Sequence, residues 1–310
     1  MLSVSVGRPQ VQCPRGTGSW QPVGMPPRKP SAVGAHVPVA GGLAKALAYA
    51  REIGAGAVQV FVSNPRGWAP SPGDPAQDEV FRDQAAAAGL PVYVHAPYLV
   101  NFGSPTETTL ARSVAAVEHA LRRGAAIGAR GVVVHAGSAV AGAHRDEAMA
   151  QLRSHLLPVL DAADPSGPRL LVEPTAGGGQ ALAATVQELE PWFAQLDAHE
   201  LLGVCLDTCH AFAAGHDVAG PGGMKKTLDA LVKAVGRGRL ALVHANDSKD
   251  PLGSTRDRHE SIGEGHIGKN AFAELFRHPA TRGVPVVVET PGDASTHRRD
   301  IELLCSLRDG

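Results

Sequence analysis

Nine side chains in this sequence could do chemistry together: His95, His135, Glu173, Asp207, His210, His244, Asp257, His259 and Glu289. Imidazoles and carboxylates are the donors that divalent metals of borderline to hard character prefer. Five of the nine end an apolar run directly, in VYVH, VVVH, LLVE, LVH and VVVE. Asp207 and His210 stand three apart in LDTCH, where a strand turns into a helix, so both can face one site. Asp257 and His259 are an i, i+2 pair in the polar stretch VHANDSKDPLGSTRDRHESIGEG, and in extended chain such residues point the same way. One zinc needs three or four protein ligands. Nine donors suit two or three ions, with carboxylates bridging. Four carboxylates crowded into one cleft repel one another unless cations sit between them. Metals about 3.5–4 Å apart are the usual machinery of phosphoryl-ester hydrolysis. Singly, each donor has a plainer reading: a strand-end histidine can be a hydrogen-bonded structural group, and Glu173 or Glu289 a catalytic carboxylate that needs no metal.

Donors this far apart in the chain require a fold that brings strand ends together. Eight short apolar runs occur, over residues 32–37, 57–62, 91–95, 131–135, 169–173, 202–206, 240–244 and 284–289. Most are Val-rich and apolar throughout, as buried parallel strands are. Helical stretches alternate with them, over 42–53, 75–88, 105–127, 146–163, 181–198, 222–235, 270–276 and about 294–307. Gly54, Gly89, Gly128 and Gly236 stand just past helix ends as stop signals. Eight such units predict an α/β fold, a closed (β/α)8 TIM barrel, whose active site lies at the C-terminal ends of the strands. The polar residues expected on that rim are His36, Asn64, His95, His135, Glu173, Asp207, His244 and Glu289.

Composition agrees with a core-forming domain. Hydrophobic residues are 44%, charged residues 19% and aromatics 4%, so the core is built of Ala, Val and Leu. The net charge of −1 advertises no global basic field, although a local basic face remains open. Cys13, Cys205, Cys209 and Cys305 form no C-x-x-C pair and no disulfide framework, which suits a reducing, cytoplasmic setting. No apolar stretch is long enough to cross a membrane. Residues 1–30 are rich in Pro, Gly and Ser, lack acidic residues and show no period. They are expected to be a disordered tail, with the barrel domain over 31–310.

The longer motifs are those of a known family. GAHVPVAGGL (34–43), NPRGW (64–68), HAPYLVNFGSP (95–105), VVVHAGS (132–138), VEPTAGGG (172–179), GVCLDTCHAFAAGHD (203–217), HANDSKDPLGSTRDRHESIGEGHIG (244–268) and VVVETPG (286–292) resemble endonuclease IV, the zinc-dependent apurinic/apyrimidinic endonucleases of base-excision repair. The resemblance implies a (β/α)8 barrel holding three zinc ions, with manganese as a substitute. It implies that His95, His135 and Glu173 hold the first ion. Glu173 would bridge to a second ion, held also by Asp207, His244 and Glu289. His210, Asp257 and His259 would hold the third. Glu289 and Glu173 would be the catalytic carboxylates, and Arg66, Tyr98 and Leu99 would enter the minor groove and base stack at the lesion. The implied reaction is hydrolysis 5′ to an abasic site in duplex DNA, with cleaning of 3′-blocked ends, by a monomer. Ala136 and Ala139 depart from the family pattern, where Pro and a second His are frequent.

Other positions are secondary. Lys249, Arg256 and Arg258 are candidate phosphate contacts, Asn246 and Lys249 candidate supports of the metal ligands, and His36, His216 and His266 further rim residues. His119, His144, His155, His199, His278 and His297 are placed on helices or far-side loops, away from the site. A metal-dependent sugar isomerase or epimerase shares strand-end His and Glu and is the enzymatic alternative. A lesion-binding protein without catalysis is the other.

Overall fold

In the computed structural model, which describes residues 30–140 and 145–310, strands and helices alternate almost as the periodicity predicts. The elements are β1 (Val33–His36), α1 (Leu43–Glu52), β2 (Val58–Phe61), α2 (Pro75–Ala87), β3 (Val92–His95), α3 (Glu107–Ala126), β4 (Gly131–His135), α4 (Arg145–Asp161) and β5 (Arg169–Glu173). There follow α5 (Leu189–Gln195), β6 (Leu202–Asp207), α6 (Thr208–Ala213), α7 (Gly223–Val235), β7 (Leu240–His244), β8 (Asp247–Ser248), β9 (His259–Glu260), α8 (Lys269–Arg277), β10 (Val286–Val288) and α9 (Ala294–Asp309). Eight parallel strands close in the order β1-β10-β7-β6-β5-β4-β3-β2, the TIM barrel that was expected. The expected tail over 1–30 lies, apart from Pro30, outside the described residues.

The barrel interior is layered by the two-residue period of a strand. Tyr93, Val133, Leu171, Cys205, Leu242 and Val287, one from each of six strands, with Ala57 just before β2, form a separate buried cluster at its heart. The Tyr93 hydroxyl crosses this layer to donate to the Ala241 carbonyl at 3.0 Å. Gly34 lets β1 approach β2: a Cβ there would lie 1.8 Å from the Ala57 carbonyl oxygen. Two residues further along each strand, the same inward direction is taken by Gln59, His95, His135, Glu173, Asp207, His244 and Glu289, with His36 on β1. The functional layer thus rests on a dry, close-packed floor. Outside the strands the larger core is made by helix faces, with Trp192, Phe81, Phe272, Leu152 and Leu156 fully buried. Each such side chain contributes about 1.5–3 kcal/mol by burial.

Three local expectations are corrected. The stretch 181–198 is not one helix. Leu182 and Ala183 are buried as irregular loop, and a Thr185–Glu188 capping box starts a short 3-10 turn that leads into α5. Asn64 does not reach the rim layer; its Oδ1 accepts from the Arg66 N–H at 3.0 Å in a turn beyond β2. The polar stretch after β7 is not all loop, because β8 and β9 pair antiparallel, with Asp247 opposite Glu260 and Ser248 opposite His259.

Candidate metal centre

Glu173, at the end of β5 and 1% exposed, is the centre of the polar layer. Its Oε2 lies 3.3 Å from His95 Nε2 and 3.7 Å from His135 Nε2. Its Oε1 lies 3.1 Å from His244 Nδ1 and 3.2 Å from His210 Nδ1. One carboxylate oxygen therefore faces each half of the site. His244 Nδ1 is also 3.2 Å from Glu289 Oε2 and 3.8 Å from Asp207 Oδ2. Asp257 spans the outer pair, 3.2 Å from His210 Nε2 and 2.9 Å from His259 Nε2.

The donor atoms fall into sets: His95, His135 and Glu173; Glu173, Asp207, His244 and Glu289; and His210, Asp257 and His259. Within each set the ligand atoms lie within 4.8 Å of one another. Neutral imidazole and ionised carboxylate at this spacing, buried or half-buried except for the exposed Asp257, fit divalent cations. Two further sets bring in Cys205 and Cys209. Burial pushes both thiols up to about 12.

Neighbouring groups aim these side chains. The Asp207 carboxylate caps α6 by accepting from the His210 N–H at 2.8 Å, which explains the three-residue spacing in LDTCH. Asn246 ties three strands together: its Nδ2 donates to Asp207 Oδ2 at 2.7 Å, and its Oδ1 accepts from the Glu289 N–H at 2.8 Å. Asp247 is no metal donor. It accepts from the backbone N–H groups of Ser248, Ile267, Gly263 and Gly268, at 2.8 to 3.1 Å, and so shapes the long loop. His95 Nδ1 donates to the Ala96 carbonyl at 2.6 Å, which leaves Nε2 to face Glu173. The β8–β9 hairpin carries Asp257 and His259 back over the barrel mouth, with the Lys249 N–H donating to the Arg258 carbonyl at 3.0 Å.

Mutual charge shifts the titrations. Burial opposes every charge here. Even so, Asp207, Asp257 and Glu173 hold the His210 ring, and Cys205, Glu289 and Glu173 the His244 ring, well above the ordinary imidazole range. Burial is likewise outweighed at His259, which Asp207 and Asp257 push up to about 9. The same pairing overrides burial at Glu173, Asp257 and Glu289 and keeps all three carboxylates ionised. His135 goes the other way: burial takes it down to about 4, so its ring stays neutral.

An open cleft of about 530 Å³ lies above the layer, bordered by His36, Phe61, Tyr98, Arg258, Glu289 and His297. Tyr98 stacks on His135, with ring centroids 5.7 Å apart and planes 26° apart, yet remains 48% exposed. Leu99 beside it is 36% exposed. The Tyr98 N–H donates to the Pro65 carbonyl at 3.0 Å and so ties this loop to the one bearing Arg66. Arg66 is exposed, and among the described residues no carboxylate lies within ion-pair distance of it. Lys249 and Arg258, in contrast, lie 3.8 Å and 3.6 Å from Glu260 and Asp250.

Six of the nine donors lie in one strand-end layer and His210, Asp257 and His259 face it from the elements above; of the three DNA-contact candidates, Tyr98 borders the cleft. Two residues were missed. His297, expected far from the site, borders the cleft from the first turn of α9. Gln59 fills the β2 place in the layer, and as a lone polar residue in AVQVFV, two past Ala57, it was detectable by strand period.

The family model described as xylose isomerase-like TIM barrel matches residues 47–307. A probable endonuclease 4 of Streptomyces avermitilis is 59% identical over 280 residues, covering 90% of each chain. One of Methanoculleus marisnigri is 39% identical, covering 84% of this chain and 93% of its own. The chain belongs to the endonuclease IV family. The crystal structure of endonuclease IV from Thermus thermophilus superposes with a TM-score of 0.79 at 37% identity, covering 90% of this chain and 99% of that one. A D-tagatose 3-epimerase-like protein superposes with a TM-score of 0.68 at 18% identity, a likeness of fold alone. Within the endonuclease IV family, the departures at Ala136 and Ala139 fall on buried small side chains in the loop after β4. Among the described residues, no helix is long and apolar enough to cross a membrane.

Proposed function

We propose that this protein, a DNA-cleaving hydrolase by family, hydrolyses the phosphodiester on the 5′ side of an abasic nucleotide in duplex DNA. The products are a 3′-hydroxyl and a 5′-deoxyribose phosphate, and the same site clears blocked 3′ ends. The observation that carries this reading is Glu173, which offers one oxygen to each of two donor sets directly beneath an open cleft. Three zinc ions, or manganese in their place, would be held by the three sets. Bound there, such ions neutralise phosphate charge and lower the pKa of water. Glu289, kept ionised beside His244, orients the attacking water by accepting a hydrogen bond from it. Glu173 holds the two donor sets in register. Tyr98 and Leu99 occupy the space left by the missing base, and Arg66 meets a backbone phosphate. An abasic nucleotide has little stacking to lose, so extruding it costs less than extruding an intact one.

A sugar isomerase or epimerase needs an enclosed polyol pocket. Here the cleft is open and half-exposed Tyr98 borders it, which favours an extended duplex bound by one protein monomer. The test is a duplex carrying one abasic analogue, incubated with metal-loaded protein and again after prolonged chelation. Incision immediately 5′ to the analogue, lost on chelation, is expected. An uncut strand with metal-loaded protein overturns the reading.

A further inference from the structure

Gln59 touches no solvent, and each of its side-chain polar atoms has a partner. Its Nε2 lies 2.7 Å from Glu289 Oε1, and its Oε1 lies 2.9 Å from His244 Nε2. An ionised carboxylate can only accept, so the amide nitrogen must be the end that faces Glu289. The amide oxygen therefore faces His244, and His244 Nε2 must carry the ring proton. With Nε2–H held by Gln59, Nδ1 is the nitrogen left to give up its proton to a metal, and it lies 3.1 Å from Glu173 Oε1 and 3.2 Å from Glu289 Oε2. His36 Nδ1 closes the arrangement, 2.9 Å from both the Gln59 amide nitrogen and Glu289 Oε1. With Oε1 engaged this way, Oε2 is the oxygen that Glu289 presents inward.

We propose that Gln59 is a positioning residue for the Glu173, Asp207, His244 and Glu289 set, selecting both the nitrogen of His244 and the oxygen of Glu289 that face a metal there. The proposal rests on reading that set as a metal pocket. Gln59 belongs to none of the three donor sets. It acts through two ligands at once, from a strand that contributes no ligand of its own. Partners that orient ligands in this way change metal affinity about 10–100-fold when removed.

Two variants separate its roles. Gln59→Met keeps the volume and removes both hydrogen bonds. Gln59→Glu keeps an acceptor for His244 and replaces the donor to Glu289 with a repelling charge. The readouts are zinc titration against a competing chelator and nitrogen-15 NMR of the His244 ring in the zinc-loaded protein, with circular dichroism to confirm the fold. Gln59→Met is expected to weaken one class of bound ion about 10–100-fold, leave the others unchanged, and destroy the single Nε2–H form of His244. Gln59→Glu is expected to weaken the same ion while that form survives. Parental affinity for every ion in either variant overturns the proposal, as does an unchanged His244 signal in Gln59→Met. If Gln59→Met does not fold, Gln59→Glu decides alone. Neither readout involves DNA, so loss of the endonuclease reading leaves the proposal standing. A parent protein that takes up no zinc removes the pocket and the proposal together.

Discussion

Replacing Glu173 by Gln removes one charge and almost no volume from the middle of the site. Four imidazole nitrogens lie within 3.7 Å of its two oxygens, so the loss is felt on both sides. In chelated protein, His210 titrates above the ordinary 6.5 because of Asp207, Asp257 and Glu173, and His244 because of Cys205, Glu289 and Glu173. Stability from their pairing is fully present below pH 6.5 and is lost as pH rises through their folded values. Glu173 is held below its usual 4.5, so its share is present above pH 4.5 and lost as pH falls through its folded value. The gap between parent and Glu173→Gln is therefore widest between pH 4.5 and 6.5 and narrows toward alkaline pH, where the rings shed their protons. An uncompensated buried histidinium would cost about 3–5 kcal/mol, or about 6–20 °C of melting temperature for a chain of this size, and this is the upper bound here, because Asp257 and Glu289 stay 3.2 Å from the two rings. Calorimetry of chelated parent and variant across this pH range measures it. Melting within about 2 °C of the parent throughout, the shift of less than one kcal/mol, refutes the electrostatic account. With zinc present the variant is also expected to lose bound ion, because two donor sets share the missing carboxylate.

Metal uptake at pH 7.5 is expected to release protons. His259 sits at about 9 without metal and must be neutral to ligate. Zinc affinity should therefore fall as pH drops below that value, and a pH-independent affinity with no proton release contradicts the assignment. Tyr98→Ala removes an exposed ring at the cleft mouth and is expected to weaken binding to abasic duplex by about 1–3 kcal/mol, with less effect on intact duplex. Equal losses on both duplexes, seen in equilibrium titrations, count against a lesion-filling role. Arg66→Ala is expected to reduce the salt dependence of duplex binding by about one phosphate contact. An unchanged slope shows that Arg66 meets no phosphate.

Much of the site was legible because the chemistry is concentrated at strand ends. VVVH and VVVE each combine a buried strand with a single terminal donor, and a barrel sends all such ends to one rim. Period two along a strand was the finer signal. It places His95 above Tyr93, Glu173 above Leu171, and Gln59 above Ala57. Asn64 misses the rim because β2 ends at Phe61, before the polar residues that follow its apolar run.

The sequence by itself determined the alternation of strand and helix, the barrel, and the identity of the nine donors, since apolar period and residue type are local properties of the chain. The tertiary structure decided how the donors are shared. That Glu173 gives one oxygen to His95 and His135 and the other to His210 and His244 depends on the register of β5 against its neighbours. That Asp247 shapes a loop while Asp257 faces the site depends on which backbone N–H groups surround each carboxylate. The His244 ring is oriented by Gln59, 185 positions away in the chain, through a hydrogen bond that exists only once the barrel has closed.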